Sequence, residues 1–89
     1  MKIKSGFVVE RVGSRYLAVA VGVRADEFNA LIRMNESGAF IWSCLAESEK
    51  SIDEATDLLA AEYGIDRERA LRDVNLFVAK LREADLIDE

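Results

Sequence analysis

The chain of 89 residues contains no histidine, no proline and a single cysteine. Without histidine, the commonest general base and the commonest metal ligand are missing together. A zinc site would have to be made from carboxylates and Cys44, which is poor material for that metal. One cysteine excludes an intrachain disulfide. Cys44 lies among Phe40, Ile41 and Leu45, where a buried small hydrophobe is expected rather than a reactive thiol. No nucleophile and base can be paired, so the sequence predicts neither an enzyme nor a bound cofactor or metal. Long apolar runs are absent too. Tyr16 to Val21 is far too short to cross a bilayer, and Met1-Lys2-Ile3-Lys4 lacks the apolar core of a secretory signal. These absences predict a cytoplasmic protein that does not engage a membrane.

What is present is ordinary globular material. With 51% hydrophobic and 33% charged residues, the chain can bury a core and is not expected to be disordered. Its length fits one domain over residues 1–89, with little to spare for an enclosed active site. The net charge of −5 is unevenly divided. Residues 1–34 carry six basic and three acidic side chains, whereas residues 35–89 carry six basic and fourteen acidic ones. Such a division suits docking surfaces of opposite sign as well as it suits plain solvated faces.

Strand signals fill the first third. Gly6–Val12 and Tyr16–Val21 flank Gly13-Ser14 and read as a hairpin. A third strand spans about 28–34, with Ala30, Ile32 and Met34 on one face and Leu31 and Arg33 on the other. Asn35 or Ser37 then caps a helix reaching about Ala46, with Phe40, Ile41, Cys44 and Leu45 at helical spacing. Ser51-Ile52-Asp53-Glu54 is a capping box for a second helix. Its buried face is expected at Ile52, Ala55, Leu58 and Leu59, and its end at Gly64. Asp66 caps a third helix running to about Ala84, and Leu86-Ile87 folds back as an apolar tail. The order is βββααα: an α+β fold of a three-stranded antiparallel sheet followed by three helices. An open sheet of this kind has edges that must be covered or used.

Helix three holds one misplaced residue. Leu71, Val74, Phe77, Val78 and Leu81 form its apolar stripe, while Leu76 falls on the opposite side with Arg69, Arg72, Lys80 and Glu83. It is either an incidental surface leucine or the floor of a groove. The helical half has helix-turn-helix proportions, yet fold does not fix function. Arg67, Arg69, Arg72, Lys80 and Arg82 are offset by Asp66, Glu68, Asp73, Glu83 and Asp85. With a pI near 4.7, the basic face that DNA binding requires is missing, and nucleic acid is not an expected partner. Asp53, Glu54 and Asp57 read as a solvated face rather than a metal site.

The run Phe28-Asn29, Ile32, Met34-Asn35-Glu36-Ser37-Gly38-Ala39, Ile41-Trp42 and Leu45 resembles the central signature of PqqD-like proteins. Tyr63-Gly64-Ile65, Asp73-Val74, Phe77 and Leu81 through Leu86-Ile87 resemble the C-terminal half of that family. Gly6-Phe7-Val8 and Val19-Ala20-Val21-Gly22 are similar to its N-terminal hairpin. The resemblance implies a winged-helix-like peptide recognition element, a single peptide-binding domain over residues 1–89. Such domains bind the leader segment of a ribosomally made precursor peptide and deliver it to a modifying enzyme, often a radical-SAM one. The leader adds as a strand to the edge of strand three, in the cleft with helix three. Carried onto this chain, the implied edge is Ala30, Leu31, Ile32, Arg33 and Met34, and the implied helix wall is Arg69, Arg72, Asp73, Leu76 and Lys80. Met34 departs from the leucine expected there, a swap that conserves volume. A winged-helix DNA-binding regulator and a self-associating interaction module are the alternatives, and the sequence leaves monomer and homodimer open.

Overall fold

A computed structural model describes residues 1–21 and 32–88 of the chain. Ala30 and Leu31, with the start of the third strand expected from about residue 28, lie outside the described residues. The elements follow in the order β1 Lys2–Ile3, β2 Phe7–Val12, β3 Arg15–Ala20, β4 Ile32–Met34, α1 Glu36–Glu47, α2 Ile52–Tyr63, α3 Arg67–Glu83 and β5 Ile87–Asp88. The expected antiparallel three-stranded sheet is β2-β3-β4, and the three helices follow it.

The hairpin turns through Gly13-Ser14. Val12 pairs with Arg15, and Gly13 takes φ 65°, which is cheap only for glycine. Ala18, Ile32 and Met34 are buried on the face of the sheet that the helices cover. Arg33 is exposed on the other face, as strand alternation requires.

The helix ends match the residues that make them. Asn35, rather than Ser37, caps α1: its side-chain oxygen accepts the Gly38 N–H at 2.8 Å, and the Ser37 hydroxyl donates to the same oxygen at 3.1 Å. The Ser51–Glu54 capping box is complete, and Asp66 accepts the Arg69 N–H at 2.8 Å. Gly64 closes α2 in the left-handed conformation, at φ 61°. At the end of α1, Lys50 Nζ donates to the Cys44 carbonyl at 2.8 Å, placing a cation on the negative end of the helix dipole.

Leu45, Leu59, Val74, Val78 and Leu81 are fully buried at the centre, and the Trp42 ring meets the edge of Phe7 at 6.0 Å between centroids. Cys44 is buried, and that burial pushes its thiol pKa upward. One expected core position is corrected: Leu58 is 40% exposed, and Thr56 is buried in α2 instead. Taking 100° per residue, Ile52, Ala55, Thr56 and Leu59 span an arc of about 100° that leaves Leu58 some 60° beyond its edge. The Thr56 hydroxyl enters the core without penalty because it donates to the Ile52 carbonyl at 2.7 Å.

The apolar tail is more ordered than its composition suggests. Helix α3 ends in a Schellman arrangement, with Asp85 N–H on the Arg82 carbonyl and Leu86 N–H on the Leu81 carbonyl. Asp85 holds the left-handed position at φ 59°, usually taken by glycine. The turn throws β5 antiparallel to β1, pairing Ile3 with Ile87, and both side chains are buried.

Candidate functional site: an open strand edge beside a helix

The sheet has β4 at one margin, paired on one side only within the described residues. Which of its backbone groups face outward follows from the register. In an antiparallel ladder, residues alternate between pairs that exchange both hydrogen bonds and pairs that exchange none. The Val21 N–H donates to the Gly6 carbonyl at 2.8 Å, so those two form a bonded pair. Alternation along β3 then turns Leu17 toward β2, and turns Tyr16 and Ala18 toward β4. Tyr16 faces Met34 and Ala18 faces Ile32 in the register. Ile32 and Met34 therefore spend their backbone groups on β3, while Arg33 directs its N–H and C=O to the open edge. A second contact agrees: Lys80 Nζ of α3 donates to the Arg33 carbonyl at 2.8 Å.

Between β4 and α3 lies a cleft of about 500 Å³. From the sheet come Arg15, Arg33 and Met34, and from the start of α1 Asn35, Ser37, Gly38 and Ile41. Helix α3 contributes Arg69, Asp73, Leu76, Phe77 and Lys80. The cleft thus has an apolar strip of Met34, Ile41, Leu76 and Phe77. Four cationic residues and one carboxylate are among its lining, Arg33 with its side chain on the outer face of the sheet, so the surroundings are electropositive in a chain of net charge −5. Among the described residues, no ion pair engages Arg15, Arg33 or Arg69. Leu76 is 67% exposed and belongs to this cleft, off the core stripe.

Of the site residues expected from the sequence, Arg33, Met34, Arg69, Asp73, Leu76 and Lys80 come together here. Ile32 is buried, and its backbone groups are committed to β3 rather than to the open edge. Arg72 is exposed and does not line the cleft. The lining positions 69, 73, 76, 77 and 80 cover about 100° of the helix, and Arg72 lies roughly 40° past that arc on the far side. Sequence reasoning missed Arg15 and the first turn of α1. Phe77, on the apolar stripe of α3, is buried, and its ring also forms cleft wall.

Chemically the arrangement offers a backbone donor and acceptor, an apolar strip and positive charge. It offers no nucleophile–base pair and, among the described residues, no cluster of metal-ligating side chains. None of the helices among those residues is long and apolar enough to cross a membrane.

Comparison with known proteins gives the site a context. The family model for coenzyme PQQ synthesis protein D (PqqD) matches residues 23–87. Among solved structures, TbiB1 in complex with the TbiA(beta) leader peptide superposes with a TM-score of 0.72 at 26% sequence identity, covering 99% of this chain and 95% of that one. No curated protein matches the chain.

Proposed function

Because the chain belongs to the PqqD family, we propose that it binds the leader segment of a ribosomally made precursor peptide and presents it to a modifying enzyme. The leader adds as a further strand to the edge of β4, over the cleft with α3. One observation carries this reading: Arg33 turns its N–H and C=O to the open margin of the sheet, directly above an apolar, electropositive cleft. Backbone bonds to such an edge give affinity, and pockets for alternate side chains give specificity. The leader peptide held by TbiB1 supports the reading. The cleft lining selects a peptide with apolar anchors and acidic flanks.

The partner is a peptide-modifying enzyme, of the radical-SAM class in the family's usual arrangement, and the domain itself does no chemistry. Calorimetric titration with synthetic leaders of short precursors encoded beside the gene tests the proposal. Saturable one-to-one binding of one leader is expected. A folded protein that binds none of them would overturn it.

A further inference from the structure

The structure points to a role for Lys80 beyond lining the cleft, one that rests on β4 being the peptide-binding edge. We propose that Lys80 is a displaceable cap on that edge and a specificity-determining residue. In the free protein its ammonium holds the Arg33 carbonyl. When a peptide strand docks, the peptide N–H takes that carbonyl, and the ammonium turns to a carboxylate on the peptide.

The argument begins with what an open edge requires. An unpaired row of donors and acceptors invites pairing with other chains, and lysine is one of the devices that blunt it. Lys80 does this from another element: its 2.8 Å bond to Arg33 joins residues 47 apart in sequence, across the cleft. An ammonium has three donors and no acceptor, so it can only seek acceptors. Among the described residues Lys80 has no carboxylate partner and spends a full charge on one neutral carbonyl.

An added strand needs the same oxygen. The Arg33 carbonyl faces the margin where the next strand must lie, so the incoming backbone and the ammonium compete for the same space. Displacing the exposed ammonium without replacement returns it to water and gives up its bond to the protein. Displacing it onto a carboxylate exchanges a charge–dipole bond for a stronger charge-assisted one. Strand alternation says where that acid belongs. The peptide residue opposite Arg33 points to the outer face with the Arg33 side chain, and its two neighbours point inward, on the face of Met34 and α3. An Asp or Glu one position from the residue opposite Arg33 comes within reach of Lys80. A neutral residue there leaves the cap unrewarded.

The test is NMR of the lysine side chains in the full chain, joined to peptide titrations. In the free protein, the Lys80 ammonium is expected to show slowed proton exchange and a hydrogen-bond coupling to the Arg33 carbonyl carbon. Adding the leader that binds should abolish that coupling. Wild type should favour this leader by about tenfold, the scale of a charged hydrogen bond, over a copy in which only the acid next to the residue opposite Arg33 is changed to its amide. Lys80→Met should hold less than about twofold preference, while binding the amide copy at least as well as wild type. Three outcomes overturn the proposal: no coupling in the free protein, coupling that survives peptide binding, or a Lys80→Met variant equally weakened toward both peptides. The first can be read whether or not a peptide binds. If wild type binds no leader at all, the reading of β4 as the binding edge has failed, and the specificity role of Lys80 fails with it.

Discussion

A methyl group placed on Gly38 would lie 3.2 Å from Cε1 of Phe77. It would also stand 3.1 Å from Oδ1 of Asn35, the oxygen that caps α1. The bare backbone at Gly38 lets the first turn of α1 close against α3 at the floor of the cleft. A β-branched side chain there must push apart the cap, the Phe77 ring or both. Gly38→Val is expected to lower stability by about 2 kcal/mol, the usual cost of overpacking. A thermal melt followed by circular dichroism measures it, and an unchanged midpoint would contradict the packing described.

Leu76 occupies the cleft without belonging to the core. Leu76→Asp should therefore change stability by no more than about 0.5 kcal/mol, as at other surface positions. Affinity for the leader should fall by about tenfold or more, because an apolar anchor is lost and a charge is set against acidic flanks. Denaturant melts and calorimetry on the same sample separate the two effects.

The arginines of α3 offer a test of helical phase. Arg69 lines the cleft and Arg72 does not. Arg69→Ala should weaken leader binding several-fold, with the loss shrinking as salt is raised. Arg72→Ala should leave affinity within about twofold, since a charge outside the cleft is largely screened. Equal losses would mean that the peptide wraps farther around α3 than the cleft does.

What the sequence reveals and what it conceals divide along physical lines. Caps are local events, so Asn35, Ser51, Gly64 and Asp66 could be read from a few neighbours. The antiparallel hairpin and the off-stripe position of Leu76 followed from periods of two and of about 3.6. The β1–β5 pair was not legible, because two-residue strands carry no period and Ile3 finds Ile87 only after α3 has turned the chain back. Leu58 was misplaced because hydropathy alone ranks leucine over threonine. It cannot see that a hydroxyl bonded to its own helix is free to be buried. Phe77 shows a further limit: one side chain serves both core and cleft wall, and periodicity assigns it to a single face. The bond from Lys80 to the Arg33 carbonyl joins residues 47 apart and leaves no local signal.

The capping box gives a pH dependence. The Glu54 carboxyl accepts the Ser51 N–H at 3.0 Å, and with the Ser51 hydroxyl this bond holds its pKa below the ordinary value. A carboxyl lowered in the folded state stabilises the fold above its unfolded pKa, about 4.3, and ceases to do so as pH falls through the folded value. Glu54→Gln removes that titration. The melting point of wild type should exceed that of Glu54→Gln at pH 6, and the difference should close as pH drops below about 4. A gap that stays constant to pH 3 would show that the charge contributes nothing.

The most direct test of the central claim is amide hydrogen exchange at β4, with and without the leader peptide. Arg33 turns its N–H to the open margin, whereas Ile32 and Met34 are committed to β3. On binding, the Arg33 amide should gain protection of about a hundredfold or more, as edge amides do when they join a ladder, while those of Ile32 and Met34 change little. Binding that leaves the Arg33 amide exchanging as in the free protein would contradict strand addition at this edge.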